Sequence, residues 1–163
     1  MSVKYLMIAA VCALGAAGLA QAAAPAAPAA PAAGSLTPEQ VIAARQAAFR
    51  LSAAAFGSMK GPIDSGADVQ NQLFAANALV NWARTLPTLF PAGTAMGQAG
   101  QKNNAKPEIW TNRADFEAKA AAYAETATKL ADAAKANDKA AFAAQWTALR
   151  DTCAACHDPY RNK

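Results

Sequence analysis

The chain has 163 residues, of which 54% are hydrophobic, and its formal net charge at pH 7 is +4. This length gives room for one domain with a modest hydrophobic core. The basic residues are scattered along the chain rather than clustered, so no nucleic-acid partner is expected.

The first 22 residues have the pattern of a secretory signal peptide. Lys4 provides the positive charge, an apolar stretch covers residues 5–19, and residues 20–22 (Ala-Gln-Ala) match the small-x-small cleavage pattern. The apolar stretch is shorter than the about 20 residues that a membrane span needs. We therefore expect export to the periplasm, cleavage after Ala22 and no membrane attachment afterwards. An uncleaved anchor is the alternative.

Residues 23–34 consist of Ala-Ala-Pro repeats that end in Gly34. Frequent proline prevents helix formation and alanine alone provides no core, so this segment is expected to be a semi-extended linker. The folded domain is then expected to cover residues 35–163.

From Pro38 onward, apolar residues recur at helical spacing, and no segment alternates convincingly with the period of two that strands show. The first helix is predicted to begin at Pro38, because Thr37 and Gln40 are placed to form a capping box. The Gly61-Pro62 pair is predicted to end it.

Three more helices are predicted, over residues 68–85, 113–136 and 139–157. The connection over residues 86–111 is long for a compact domain and is expected to run along the bundle, packed by Leu89, Phe90 and Trp110. Four helices of similar length, joined mostly by short turns, predict an all-α antiparallel four-helix bundle.

Cys153, Cys156 and His157 form a Cys-Ala-Ala-Cys-His motif near the C-terminus. In such a motif the two thiols add across the two vinyl groups of a haem and the imidazole binds its iron. On a helix, positions i, i+3 and i+4 lie on one face. The sequence therefore predicts one covalent haem c near the end of the fourth helix, held by Cys153 and Cys156, with His157 as an axial ligand of the iron.

Other uses of a Cys-x-x-Cys pair have less support. A zinc site needs four ligands. His157 is the only histidine in the sequence, and the one cysteine besides the pair, Cys12, lies in the signal segment. A thioredoxin-like pair belongs near a βαβ pattern, which is absent from the sequence. A disulfide would close a very small loop within a helix and would stabilise little.

Three groups of residues recur together in one known family. They are Pro38-Glu39 with Arg45-Gln46, then Pro107-Glu108-Ile109-Trp110, and finally Cys153-x-x-Cys156-His157-Asp158-x-Tyr160-Arg161. Over residues 36–163 the chain resembles the class II c-type cytochrome family of cytochrome c′. That family has its haem motif near the C-terminus of a four-helix bundle.

The resemblance implies which residues surround the iron. The distal residue of the family comes four positions after the first-helix arginine, which makes it Phe49 because that arginine is Arg45. Arg45 would pair with a haem propionate, and Arg161 would lie beside the proximal face. A phenyl ring cannot bind iron, so five-coordinate, high-spin iron is expected.

By resemblance, such iron binds nitric oxide and carbon monoxide, and the haem can also exchange single electrons with periplasmic redox proteins. The alternative is a low-spin, six-coordinate electron carrier of the same class, for which only Met59 and Met96 remain as methionine ligands in the domain. An enzyme such as a peroxidase is not expected, because its chemistry needs a distal acid–base group and the only histidine is proximal.

Family members commonly dimerise through their first two helices, so the resemblance also implies a homodimer. The expected outer faces of these helices carry alanines that are small enough for close contact: Ala43, Ala44, Ala47, Ala54, Ala75 and Ala78.

Overall fold

The computed structural model describes residues 36–100 and 102–163, so the predictions for residues 1–34 lie outside the described residues. The helices are α1 (Pro38–Ser58), α2 (Lys60–Ser65), α3 (Leu73–Thr85), α4 (Glu108–Thr111), α5 (Arg113–Lys135) and α6 (Lys139–Tyr160). The long helices α1, α3, α5 and α6 form the four-helix bundle, which confirms the predicted fold class. Within the described ranges there is no strand, and the isolated antiparallel bridge pairs Ala105 with Arg161.

Helix α1 begins with the predicted capping box. The Thr37 hydroxyl accepts from the Gln40 backbone N–H at 3.3 Å, and the Gln40 side-chain oxygen accepts from the Thr37 N–H at 2.9 Å. Pro38 follows at the first helical position, where its missing N–H has no intrahelical partner to lose. The start of the bundle is therefore encoded locally.

The predicted end of the first helix at Gly61-Pro62 is wrong. Helix α1 ends at Ser58, and both residues lie inside the short helix α2. Pro62 is the third residue of α2, where a backbone N–H would have no intrahelical partner, so proline does not interrupt it. The helix ends instead at Gly66, whose φ of 64° is left-handed.

The second predicted helix ends at Thr85 as expected, but its α-helical part begins at Leu73 rather than residue 68. The residues just before it form a 3-10 turn, Gln70–Gln72. The side-chain oxygen of Asn137, in the turn between α5 and α6, accepts from the backbone N–H groups of Val69 at 2.9 Å and Gln70 at 3.3 Å. A residue distant in sequence therefore caps the 3-10 turn that leads into α3.

The connection over residues 86–111 carries more structure than the sequence indicated. It contains a 3-10 turn, Leu86–Leu89, and the short helix α4. Phe90 is buried and packs edge-on against Phe116 of α5 at 5.0 Å between ring centroids, and the Trp110 indole donates to the Phe90 carbonyl at 3.1 Å. The predicted packing of this crossover on the bundle is thus confirmed.

The third predicted helix is confirmed to within one residue by α5, whereas α6 continues three residues beyond His157, to Tyr160. The last turn of α6 contains Pro159. None of the helices formed by the described residues is long and apolar enough to cross a lipid bilayer.

Two clusters of buried side chains form the core. The first includes Met59, Val69, Leu79, Leu130, Phe142 and Leu149. The second includes Leu86, Phe90, Ala105, Ile109, Phe116, Ala120 and Tyr160. Fully burying each large apolar side chain stabilises the fold by about 1.5–3 kcal/mol. Partly buried aromatic residues border both clusters, and the candidate site lies where these borders meet.

Candidate haem site

Helix α6 carries the three residues of the motif in its last two turns. The Asp138 side chain caps its start by accepting from the Ala141 N–H at 2.9 Å. Cys153, Cys156 and His157 are all half-buried, and both cysteines are free thiols. Their i, i+3, i+4 spacing on a regular helix places the two sulfurs and the imidazole along one face, as the sequence predicted.

Two adjoining cavities lie against this face of α6. We call the first, of about 470 Å³, the mouth cleft; it is bounded by α1, the crossover and the C-terminus. We call the second, of about 270 Å³, the inner cavity; it lies among α1, α3, α5 and α6. Phe49, Ala53, Cys156 and His157 line both. A cofactor held by the motif would therefore have access to an interior space and to an open rim.

The inner cavity has mainly aromatic and aliphatic walls. Further side chains that line it include Phe56, Trp82, Leu86, Phe116, Ala120 and Tyr123. The Ser52 hydroxyl, which also borders the cavity, donates to the Phe49 carbonyl at 2.9 Å, and that of Thr152 donates to the Leu149 carbonyl at 2.7 Å. Both hydroxyl protons are therefore engaged by the backbone.

Phe49 lies beside the motif histidine. Its ring centroid is 6.4 Å from that of His157. The edge-to-face contact with Trp82, at 4.9 Å between centroids, and a second one with Phe90 at 6.5 Å hold the ring in place. The structure thus brings the expected distal residue and the expected axial ligand together at one site.

Burial lowers the pKa of His157, and the nearby Arg161 cation lowers it further, while Asp158 opposes them. The imidazole is therefore neutral at neutral pH, which is the form that binds a metal. Arg161 itself is exposed, directly follows α6 and borders the mouth cleft.

Both motif thiols are held in the neutral form. Burial raises the pKa of Cys153 and raises that of Cys156 to about 11, although the Lys119 cation opposes the rise at Cys156. A redox-active Cys-x-x-Cys pair has a lowered thiol pKa instead. The electrostatics therefore disfavour the thioredoxin-like alternative.

Arg45 is only 3% exposed and has several partners in the crossover. Its terminal nitrogens donate to the Leu89 carbonyl at 3.0 Å, to the hydroxyl and carbonyl of Thr94 at 3.0 and 2.9 Å, and to the Asn103 side chain at 3.4 Å. The guanidinium carbon also lies 4.3 Å from the Phe90 ring centroid. Burial lowers the pKa of Arg45 to about 10, so it stays cationic at neutral pH at the edge of the mouth cleft.

Sequence reasoning missed a contact that fixes the end of α6. The Tyr160 hydroxyl donates to the Asp115 carboxylate at 2.5 Å, and its ring packs edge-on against Phe116 at 5.4 Å. These contacts attach the turn after His157 to the start of α5. No local motif joins residues 45 positions apart in sequence, so the pairing had no sequence signal.

The remaining methionines lie away from the motif. Met59 is fully buried in the first core cluster, and Met96 is 39% exposed on the crossover. Neither side chain lines the mouth cleft or the inner cavity.

Residues 40–161 match the sequence family described as Cytochrome C′. The chain belongs to the cytochrome c′ family. Cytochrome c′ from Alcaligenes xylosoxydans xylosoxydans is 34% identical over 126 residues, which cover 77% of this chain and 96% of that protein.

Solved cytochrome c′ structures agree with this assignment. One, described as having a ligand-controlled dimer dissociation, matches with a TM-score of 0.75 and 26% identity over 80% of this chain and 100% of that one. Another, the nitric oxide complex of a cytochrome c prime variant from Alcaligenes xylosoxidans, gives a TM-score of 0.69 and 31% identity over 78% and 98% of the two chains.

The family implies a c-type haem, and the residues present fit one. The inner cavity provides apolar walls for a flat macrocycle, and the mouth cleft provides cations for its carboxylates. Cys153, Cys156 and His157 border the inner cavity from one helix face. The donor set is thus the one that covalent haem attachment requires.

Proposed function

We propose that this chain is a periplasmic monohaem cytochrome c′ with five-coordinate, high-spin iron that binds nitric oxide and carbon monoxide and can transfer single electrons. The observation that carries the proposal is the apolar inner cavity, which is lined by the Cys153–His157 motif and by Phe49. A bound haem would supply an open coordination position on its iron and a one-electron couple.

In this proposal each motif residue has one role. Cys153 and Cys156 hold the single haem through thioether bonds, and His157 donates its neutral imidazole to the iron. Arg45 faces a propionate while its terminal nitrogens hold the crossover, and Arg161 borders the proximal side. Arg45, Cys156, His157 and Arg161 line the mouth cleft, and Cys153 lines the adjoining inner cavity, which supports the assignment.

Phe49 decides which ligands reach the iron. Its phenyl ring offers no lone pair, so it leaves the sixth position without a protein ligand and excludes water by its bulk. The nearby Ser52 hydroxyl is bound to the Phe49 carbonyl. Small neutral ligands that need no hydrogen bond suit such a cavity, and a nitric oxide complex of a relative is in line with this.

Optical spectroscopy of the purified holoprotein tests the proposal. A haem that stays attached after acid extraction shows covalent binding. A high-spin ferric spectrum, together with carbon monoxide binding to the reduced protein, supports five-coordinate iron. A low-spin spectrum with a methionine–iron charge-transfer band contradicts it.

Methionine variants sharpen this test. Met59→Leu and Met96→Leu each remove one of the methionines of the domain, and neither residue lines the cavities. Both variants should keep the wild-type spectrum. A change from low spin to high spin in either one would identify a methionine ligand and favour the electron-carrier alternative.

Export and dimer formation complete the proposal. The signal-type sequence over residues 1–22 supports a periplasmic location, and mass spectrometry of the secreted protein should give an N-terminus at Ala23. A homodimer through α1 and α3 is supported by the exposed Leu51 and Phe74 on these helices, which are 72% and 87% exposed. An N-terminus at Met1 would show that the signal segment is retained.

A further inference from the structure

The end of α6, which carries His157, has one internal hydrogen bond fewer than a regular helix. Pro159 lies in the last turn and has no backbone N–H. The carbonyl of Ala155, four positions earlier, therefore receives no helical hydrogen bond from it. Contacts with other elements consequently matter more for the position of this turn than they do along the rest of α6.

The ring of His157 is not fixed by a hydrogen bond to another described residue. Neither of its ring nitrogens donates to or accepts from any of them. In many metal sites the second nitrogen of a histidine ligand is bound to a carboxylate or a carbonyl, which sets the orientation of the ring. Within the described part of the protein, the orientation of this imidazole depends instead on the turn that carries it.

One side chain attaches that turn to the start of α5. Tyr160 is only 3% exposed, and its hydroxyl donates to the Asp115 carboxylate at 2.5 Å. The same hydroxyl lies 3.3 Å from the carbonyl of Asn112, the residue that precedes α5. A phenylalanine would fill the same buried space without this bond. The hydroxyl therefore adds a connection between two helices to the packing that the ring provides.

Tyr160 is also close to the motif along the helix. It follows Cys156 by four positions and His157 by three, so the three side chains lie on neighbouring parts of the helix surface. Its ring contacts Phe116 of α5, a residue that lines the inner cavity. The bond to Asp115 thus connects the turn of His157 to a helix that forms part of the cavity wall.

The other contacts of this turn lead to the crossover rather than to α5. The Lys106 N–H donates to the Tyr160 carbonyl at 3.0 Å, and the Asn162 N–H donates to the Asn104 carbonyl at 2.8 Å. These backbone bonds hold the chain as it leaves α6. Among the described residues, the Tyr160 hydroxyl makes the only side-chain hydrogen bond between the last turn of α6 and α5.

From these contacts we infer that Tyr160, through the bond of its hydroxyl to Asp115, is a positioning residue that orients His157 toward the iron. The inference rests on the proposed function, in which His157 is the axial ligand. Tyr160 is not itself a ligand, because its hydroxyl is bound to Asp115. Loss of the hydroxyl should therefore leave haem attachment intact and alter the bond between the iron and the histidine.

Resonance Raman spectroscopy of the ferrous holoprotein tests the inference. Five-coordinate, high-spin ferrous haem gives a stretching band for its iron–histidine bond. Tyr160→Phe removes the hydroxyl and keeps the ring. We expect the band to move to lower frequency and to broaden, because a less restrained turn lets the imidazole adopt several orientations. The content of covalent haem should equal that of wild type.

Two variants of Asp115 separate the hydrogen bond from the charge. Asp115→Ala removes the acceptor and should shift the band as Tyr160→Phe does. Asp115→Asn keeps an acceptor oxygen but loses the charge, which lies 3.8 Å from the Lys119 ammonium, and should restore the wild-type band. Because both residues act through one bond, Tyr160→Phe combined with Asp115→Ala should shift the band no further than either change alone. Additive shifts, or equal effects of the two Asp115 variants, would overturn the inference.

Trp146→Phe is the matched control for a general loosening of α6. The Trp146 indole donates to the Phe56 carbonyl at 3.0 Å, and Trp146 lines neither cavity. Its variant should lower the thermal unfolding midpoint, as Tyr160→Phe does, and leave the band unmoved. Equal shifts in both variants would assign the effect to stability and contradict a positioning role.

The same spectra distinguish failure of the inference from failure of the proposed function. A wild-type band in Tyr160→Phe would overturn the positioning role alone. A low-spin ferrous wild-type protein, in which the band is absent, would overturn the proposed five-coordinate iron and the inference with it.

Discussion

Phe49 is the residue on which the proposed ligand selectivity depends. It borders both cavities and lies 4.9 Å from Trp82 and 6.4 Å from His157, measured between ring centroids. Its removal would enlarge the space beside the motif without touching the Cys and His side chains. The residue is therefore placed to control access rather than attachment.

We expect Phe49→Ala to speed carbon monoxide binding to the ferrous protein by about tenfold or more, because removal of the phenyl ring opens the space beside the motif. A tenfold faster rate corresponds to an activation barrier that is lower by about 1.4 kcal/mol. Flash photolysis measures the rate. Phe142→Leu is the control, since Phe142 is fully buried but lines neither cavity. Equal rates in wild type and Phe49→Ala would show that another residue crowds the iron.

A second prediction concerns the stability that Arg45 provides. Arg45→Lys keeps the charge but cannot reproduce the bonds to Leu89, Thr94 and Asn103, because an ammonium lacks the planar fork of guanidinium. Buried hydrogen bonds of charged groups contribute about 1.5–3 kcal/mol each, so the free energy of unfolding should fall by at least about 2 kcal/mol.

Urea denaturation measures this loss, with Arg50→Lys as the matched control. Arg50 is exposed on the same helix, so its variant should stay within about 0.5 kcal/mol of wild type. Unchanged stability of Arg45→Lys together with a shifted haem potential would show that Arg45 acts on the propionate and not on the crossover.

Two glycines, one near the end of α1 and one directly after α2, allow a test of backbone conformation. Gly66 ends α2 with a left-handed φ of 64°, whereas Gly57 lies in the last turn of α1 with open space around its Cα. Gly66→Ala should lower the free energy of unfolding by about 1 kcal/mol, because a Cβ is strained there. Gly57→Ala should raise it by about 0.5–1 kcal/mol through helix propensity.

Thermal unfolding of the two variants gives the comparison directly. Both variants add one methyl group, but they should change the free energy of unfolding in opposite directions. A general effect of an added methyl group cannot produce both changes. If Gly66→Ala were as stable as Gly57→Ala, α2 would not end at a left-handed residue in solution.

Helix positions followed from the sequence wherever the deciding contact is local. The capping box of Thr37 and the i, i+3, i+4 motif on α6 are of this kind. The start of α3 was misplaced because the residues before it form a 3-10 turn, which Asn137, more than sixty positions away, caps. Helix α2 was missed because Pro62 was expected to end a helix, although it stands in a first turn, where proline is tolerated.

The candidate site, too, could be predicted from the sequence only where its residues are close together along the chain. The residues proposed to attach the haem form one motif, whereas the walls of the two cavities come from four helices and the crossover. Trp82 comes directly before the buried Ala83, and only the packing of α3 against Phe49 shows that it faces the cavity. The family resemblance, and not the helical spacing of apolar residues, identified Phe49 as the distal residue among those of α1.

At the scale of the whole molecule, the outer faces of α1 and α3 stand apart from the rest of the surface. Leu51 and Phe74 are the most exposed large apolar side chains among the described residues. Ala43, Ala44, Ala47, Ala54 and Ala78 are exposed as predicted, but Ala75 is half-buried and packs against the first core cluster. This surface lies on other helices than the motif, which α6 carries.

Sedimentation velocity of the holoprotein tests whether this surface joins two copies. Because a twofold interface uses the same patch on both subunits, one substitution acts twice. We expect Phe74→Asp to weaken dimerisation by at least about tenfold, since it buries two carboxylates against apolar groups. Ala144→Asp adds the same charge on the exposed face of α6 and should leave the dimer intact. A wild-type monomer, or equal weakening by both variants, would contradict a dimer built on α1 and α3.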